Sequence, residues 1–509
     1  MMVHDFLHNA AARHPEKVAL ICQGRRLTYA CLEQAANRLA HALRECGLER
    51  GDRVVLHLNN SVEAVVGIFG ILKAGGVFVA TNRTTKADKL IYVLNNSGAA
   101  VLLADDRALG AGLAERLPGD VPSLKAVVCC GGKATPETAI FRSFDRIQSR
   151  FSPEPLPCSV TDLDLACLIY TSGTTGEPKG VMCDHGNVVF VTQAIVRYLK
   201  NDERDVILNV LPLSSSYGLY QLLATFLSGG TLVLEQSFAF PSEILQTIVR
   251  ESVTGFAGVP TIYSILLGMA PGALALPSLR YMTNAAAALS IDHVRRLRQI
   301  FPKVDLYLMH GLTEVARTMY LPPEQVDLRP GSSGIAIPGT ELWLEDESGL
   351  RPGPGEVGEL IVRGRHVMRG YWDDPVLTAE RFRPGPLPDE RVCHTGDLFR
   401  IDGEGYFHFV SRKDDMIKCR GEKVAPLEVE NVLHAISGVQ DAAVIGVPDP
   451  MLGQAVKAFI VAPGASLTAA DVIAFCKARL EDVMLPKHVE FRENLPKSEN
   501  GKIRKRELI

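Results

Sequence analysis

Apolar residues recur at helical spacing over residues 28–46, where Leu32, Ala35, Ala36, Leu39 and Leu43 fall at i, i+3, i+4, i+7 and i+11. Gly47 then supplies a stop. Residues 54–58 read as a strand, and Asn60 with Glu63 three residues on marks a helix start. The pattern predicts a helix over 62–73 closed by Gly75 and Gly76, a strand over 77–80, a helix over 86–95 and a strand over 100–104. Such alternation predicts βαβ units around a largely parallel sheet. Residues 131–162, rich in Pro, Ser and charge, predict a surface connection. A short apolar run over 165–169 reads as a buried strand, and 355–364 as short strands with Gly turns.

The chain has 509 residues, a length that suits about three units of ~150 residues. Apolar residues make up 47% and charged residues 22%, an ordinary globular composition. A net charge of −4 offers no electrostatic attraction to nucleic acid or an anionic membrane. The eleven cysteines form no C-x-x-C pair, and the adjacent Cys129 and Cys130 are poorly placed for a disulfide. Reduced thiols, the lack of a basic-then-apolar leader and the lack of an apolar run near ~18 residues together predict a cytoplasmic protein. The histidines show no metal-ligand spacing, so no structural zinc is expected. His57, alone in an apolar strand, reads as a packed residue.

The chemistry begins after the 165–169 run. Tyr170-Thr171-Ser172-Gly173-Thr174-Thr175-Gly176-Glu177-Pro178-Lys179-Gly180-Val181 is a loop of hydroxyls and glycines followed by a lysine. Glycines bring backbone N–H groups close to an anion, and hydroxyls add donors. The G-x-x-x-x-G-K-[ST] spacing is absent, which disfavours a P-loop kinase. The twelve residues resemble the phosphate loop of the adenylate-forming superfamily: acyl-CoA synthetases, adenylation domains and luciferases. Further family motifs follow in order, so the resemblance covers nearly the whole chain.

That resemblance implies a role for each matching residue. Thr171, Ser172, Gly173, Thr174, Thr175, Gly176 and Lys179 would hold ATP phosphates. Met309-His310-Gly311-Leu312-Thr313-Glu314 is similar to Y-G-x-T-E, which puts Thr313 on the adenylate phosphate and Glu314 on Mg²⁺. His310 replaces the usual tyrosine that packs on adenine, and Gly311 follows it. Asp397 of Thr395-Gly396-Asp397 would bind the ribose diol, whose two hydroxyls suit two carboxylate oxygens. Arg412 would contact ribose or phosphate, and Asp414 would be the hinge. Lys502, in Leu495-Pro496-Lys497-Ser498-Glu499-Asn500-Gly501-Lys502, would bridge the acid and the phosphates during adenylation.

The acid pocket departs from the family. Ser215 stands where many acyl-CoA synthetases have histidine, and Ser216 where α-amino-acid activators have aspartate. A buried ammonium group needs a charged or strongly hydrogen-bonding partner, so an ordinary amino acid is disfavoured. Tyr217 completes this segment. Ala285 and Ala286 replace glycines of the family's Gly-Gly-Ala-Pro run, and each added methyl narrows the pocket toward a short or flat acid.

The expected architecture is α/β: a large N-terminal domain, 1–413, with layered mostly parallel sheets and a small β-rich subdomain, and a small mobile α+β C-terminal domain, 414–509. The expected activity is ATP- and Mg²⁺-dependent conversion of a carboxylic acid to acyl-AMP, then transfer to the thiol of CoA. Two rivals stand beside it: loading of a carrier-protein phosphopantetheine, and nucleotide binding without turnover. A homodimer is kept open. Lys418, Arg420 and Lys423 are offered for CoA phosphates.

Overall fold

The structure, a computed structural model, describes residues 1–131, 140–171, 177–269, 275–464, 466–497 and 503–508. The periodic region folds as its pattern predicts. The helix Tyr29–Glu45 starts at Thr28, whose side chain accepts from the Cys31 amide, and Gly47 follows at φ 81°. The strand Arg53–His57, helix Val62–Lys73, strand Val77–Thr81, helix Ala87–Ser97 and strand Ala99–Asp105 follow in order. The Val62–Lys73 helix is apolar nearly all round because it is covered on every side. A Cβ on Gly70 would lie 2.9 Å from Leu39 Cδ2 and 3.1 Å from the Ala36 carbonyl oxygen, so glycine permits the two helices to approach.

Two expectations change. The cap of the Val62–Lys73 helix is Ser61, whose side chain accepts from the Ala64 amide. Asn60 does other work: it donates to the Leu211 and Glu235 carbonyls and accepts from the Leu213 amide, tying this helix start to the other sheet. Both residues have a capping side chain, and only the tertiary partner decides between them. The 131–162 connection also carries structure: the strand Phe141–Ser143 extends a sheet edge and the helix Phe144–Arg150 packs on it. His57 is buried and hydrogen-bonded to Thr81, as a packed histidine should be.

Two large sheets form the N-terminal part. One runs Phe141–Ser143, Ala126–Cys130, Ala99–Asp105, Arg53–His57, Val77–Thr81, Leu165–Thr171, Lys179–Asp184, parallel except for the last pair. The other orders Asp305–His310, Tyr281–Asn284, Gly255–Gly258, Val206–Asn209, Thr231–Leu234 and Val18–Cys22 in parallel, with antiparallel strands at both edges. Helices fill the space between them, and Phe69 stacks on Phe226 at 5.4 Å. A third, antiparallel sheet contains Val357–Arg363, Arg391–Ile401 and Phe407–Arg412. A fourth lies wholly within the C-terminal part, where Asp441–Asp449 and Gly453–Val461 pair beside the helices Pro426–His434 and Ala469–Lys477. No helix among the described residues is long and apolar enough to cross a membrane.

Asp184 joins the seven-stranded sheet to the antiparallel one. Its carboxylate accepts from the Asn187 amide at 2.6 Å, capping the helix His185–Leu199. It also pairs with Arg365 at 3.2 Å and Arg369 at 3.0 Å while itself buried. Backbone bonds Met182 N to Gly370 O and Trp372 N to Gly180 O fasten the same seam. Asp184→Ala removes the cap and the carboxylate shared by Arg369 and Arg365, of which Arg365 keeps Asp162 at 4.0 Å; both arginines reach solvent, so it is expected to lower unfolding free energy by about 1–2 kcal/mol. A denaturant midpoint that does not move would show that the seam holds without it.

Candidate active site

Parallel strands point their C-terminal ends at common ground, and ligands of such sheets bind there. The strand Tyr281–Asn284 leads to Ala286, and Asp305–His310 leads to Thr313 and Glu314. Thr171 and Lys179 arrive as a register pair from the other large sheet. Asp397 and Arg412, also register partners, arrive from the antiparallel sheet. All line one cleft of about 480 Å³, together with Lys497, Ile503 and Lys505 of the C-terminal part. A wider surface groove of about 1070 Å³ near Arg365 and Arg391 contains none of the residues expected to hold nucleotide or acid.

Ser172, Gly173, Thr174, Thr175 and Gly176 lie outside the described residues. Their flanks, Thr171 and Lys179, line the cleft. Lys502 also lies outside them. Lys497 and Ile503 on either side of it form a bridge and both face the cleft.

Glu314 is held by Tyr371, whose hydroxyl donates to Oε1 at 2.5 Å. Burial, and then the Glu314 carboxylate, push the Tyr371 hydroxyl above its ordinary value, so it stays a donor. Tyr371 therefore reaches into the cleft from the segment after the Val357–Arg363 strand. Arg381 lines the same wall and donates to the His394 carbonyl at 2.9 Å. No motif marked it, because a lone arginine in a short helix carries no local signal. Glu314 and Thr313 offer hard oxygen donors suited to Mg²⁺, and Lys179, Arg381 and Arg412 supply cations suited to phosphate. Gly311 is needed for space: a Cβ there would come within 2.2 Å of the Ala316 carbonyl oxygen.

His310 is bonded through both ring nitrogens, Nδ1 to Thr318 Oγ1 at 2.8 Å and Nε2 to Asp397 Oδ2 at 2.9 Å. Arg412 Nε lies 3.1 Å from the other Asp397 oxygen. Imidazole has two polar atoms on opposite edges where tyrosine has one, so histidine links Thr318 to Asp397 across the strand end. Its ring also sits edge-on to Phe399 at 5.0 Å.

The residues expected to bind the acid divide. Ala286 lines the cleft at φ 73°, a left-handed conformation unusual for alanine, and Ala285 beside it is buried. Ser215, Ser216 and Tyr217 are not among the residues lining this cleft. Ser215 caps the helix Ser216–Ser228 by accepting from the Gly218 amide and donates to the Pro212 carbonyl. Tyr217 is buried and bonds Thr283 Oγ1 at 2.6 Å.

Asp414 is exposed between the strands Phe407–Arg412 and Ile417–Cys419. Beyond it, His434 of the C-terminal part meets His293 of the N-terminal part with ring centroids 5.4 Å apart. Burial lowers both, His293 to about 4, so the contact is between neutral rings at pH 7. Lys497 pairs with Asp441 at 2.5 Å, and Lys505 with Glu430 at 2.7 Å.

Residues 7–372 match the AMP-binding enzyme family, and 428–502 match the AMP-binding enzyme C-terminal domain. The chain is 35% identical to a feruloyl-CoA synthase of Amycolatopsis sp over 504 residues, covering 98% of this chain and 96% of the relative. It is 32% identical to a long-chain-fatty-acid–CoA ligase of Salmonella typhimurium, covering 99% and 93%. The solved structure of an anthranilate CoA ligase, AuaEII, in complex with anthranoyl-AMP superposes with a TM-score of 0.92 at 29% identity, covering 100% of this chain and 96% of that one.

The backbone at Ala286 makes a direct test. Ala286→Gly relieves a left-handed alanine at roughly 1–2 kcal/mol but adds glycine's unfolded-state entropy at ~0.5–1 kcal/mol, so stability should hold or rise by no more than about 1.5 kcal/mol. Ala286→Val places a β-branched residue at positive φ and should cost more than ~2 kcal/mol in a denaturant melt. Equal stability of the two variants would mean that this turn relaxes freely.

Proposed function

The chain belongs to the AMP-binding enzyme family, and from that premise we propose that it is an AMP-forming acid–CoA ligase acting on a short or aromatic acid without an α-amino group. Its reagents are ATP, Mg²⁺ and CoA. The observation that carries the reading is the convergence of Lys179, Thr313, Glu314 with Tyr371, and Asp397 with Arg412 on one cleft, closed by Lys497 and Ile503.

In the first step an acid carboxylate oxygen attacks the α-phosphorus of ATP. The bond to the bridging oxygen breaks and pyrophosphate leaves. Mg²⁺, when bound, neutralises charge on the phosphate oxygens. Thr313 donates to the α-phosphate, and Lys179 and Arg381 face the leaving charge. Asp397 accepts from the ribose hydroxyls while His310 and Arg412 hold its carboxylate. Lys502 draws the acid and phosphate together. In the second step the CoA thiolate attacks the acyl carbonyl and AMP departs.

We divide the chain at Asp414, with 1–413 as the body and 414–509 as the part that turns between the two steps. Lys418 and Arg420 are exposed on that part and suit CoA phosphates, whereas Lys423 is paired with Glu347 at 2.7 Å. The low sulfur reactivity expected of buried cysteines and the demand for ATP fit a cytoplasmic setting.

The test is acid-dependent pyrophosphate release from ATP across aryl, short aliphatic, hydroxy and amino acids, with and without CoA. Turnover accelerated by CoA, with acyl-CoA formed, supports the ligase. Turnover indifferent to CoA points to a carrier protein as acceptor. No pyrophosphate with any acid leaves nucleotide binding alone.

Two variants examine the roles. Lys502→Ala should slow acyl-AMP formation by about 10²–10³-fold and leave thioester formation from supplied acyl-AMP nearly unchanged. Equal loss in both half-reactions would remove its assigned role. Tyr371→Phe deletes the bond to Glu314 and should lower adenylation roughly tenfold, with a raised Mg²⁺ requirement. An unchanged Mg²⁺ titration would mean that Glu314 needs no support.

A further inference from the structure

Arg317 is 3% exposed, and no carboxylate among the described residues pairs with it. Its Nε is buried and has no acceptor. The guanidinium sits over the ring of Tyr217, with Cζ 5.2 Å from the centroid. Tyr198 lies beside it, and its hydroxyl accepts from the guanidinium while donating to Met309 Sδ at 3.1 Å, which leaves Nε as the unmet donor. Tyr220, one helical turn beyond Tyr217 on the helix Ser216–Ser228, has a buried hydroxyl with no partner. Arginine stays charged in a protein, and a buried cation without an anion is costly. Here the unmet groups are donors, and one carries a positive charge. What would satisfy them is an anionic acceptor.

The chain places these groups directly behind the reacting end of the cleft. Arg317 follows Thr313 and Glu314 through a tight turn in which the Val315 amide bonds Leu312 O and the Arg317 amide bonds Val315 O. Ala316 takes φ 53° there. Tyr217 bonds Thr283, three residues before the cleft-lining Ala286. One segment of the cleft wall thus carries the guanidinium, and the other anchors the aromatic ring beneath it. Stacking on Tyr217 occupies the face of the guanidinium, so recognition is left to its N–H edge, which matches a carboxylate fork.

From this arrangement we infer that the acid activated by this enzyme carries a second carboxylate, which Arg317 binds with help from the Tyr220 hydroxyl. The assignment deepens the ligase reading and rests on it. The substrate class is then a dicarboxylic acid: one carboxylate is adenylated near Thr313, and the other remains ionised at Arg317. Such a site also rejects the matching monocarboxylic acid, because binding it leaves the guanidinium buried and unpaired. Arg317 is a specificity residue, and it takes no part in the phosphorus chemistry.

The experiment compares matched acids of equal skeleton in pyrophosphate release: butanoate with succinate, hexanoate with adipate, and 4-methylbenzoate with terephthalate. Wild-type protein should favour the diacid in at least one pair by about 10²-fold or more in kcat/KM. Arg317→Met should lower that diacid by a similar factor while its monoacid partner holds or rises, and Arg317→Lys should keep part of the preference. Tyr220→Phe, a smaller change, should cost the diacid alone about tenfold, and it serves if Arg317→Met does not fold. AMP binding by each variant, measured calorimetrically, should match wild type. A wild-type preference for the monoacid in every pair overturns the assignment, as does an equal effect of the variants on both members of a pair. Release with monoacids alone leaves the ligase reading intact while removing this one. Absence of release with every acid removes the ligase reading, and the assignment with it.

Discussion

Asp184 is a buried carboxylate that meets one helix cap and two arginines at once. Its position at the end of the strand Lys179–Asp184 makes it the point where the seven-stranded sheet and the antiparallel sheet are locked. Once that seam is set, Gly180 and Met182 hydrogen-bond to the segment 369–372, and Tyr371 is carried to within 2.5 Å of Glu314. The other end of the same strand begins at Lys179, opposite Thr171. One ion-pair cluster thus positions Lys179 and, through Tyr371, supports Glu314. It does so away from the cleft, where Asp184 and Asp162 face Arg365 and Arg369.

The cleft follows a different rule. Its cations come from separate elements and are paired only in part by the protein: Arg412 with Asp397, Lys497 with Asp441, Lys505 with Glu430. A triphosphate brings more negative charge than any one of these could meet, so charges must be gathered from several chain segments. The shared carboxylates also explain the use of histidine at 310. It bonds one Asp397 oxygen while Arg412 meets the other, so that carboxylate is held from two strands. Arg317 differs from all of them, since it is buried behind the wall and has no carboxylate partner among the described residues.

Much of this was legible along the chain. The 3.6-residue spacing of Leu32, Ala36, Leu39 and Leu43 and the apolar strands beside it report burial directly, because burial on one face imposes the period. The contiguous motifs name Thr313, Glu314, Asp397 and Arg412, and the structure brings those four to one cleft. Their chemistry requires fixed local spacing, which survives as a string. The choice between Asn60 and Ser61 as a cap was not legible, since both have the side chain and only Leu211 and Glu235 claim Asn60. Ser215 and Ser216 read as pocket residues, yet the helix start uses Ser215 for its own amides.

The sequence by itself determined the α/β alternation, the family membership and the residue types available for adenylation, because each is written in short-range pattern or contiguous motif. Tertiary structure alone decided that Tyr371 supports Glu314, that Arg381 joins the cleft wall, and that His310 bridges Thr318 to Asp397. It alone left Arg317 over Tyr217 without an anion. These partners lie from eight to about a hundred residues apart. Hydrogen bonds and buried charges are satisfied in space, and no local period records which distant group will satisfy them.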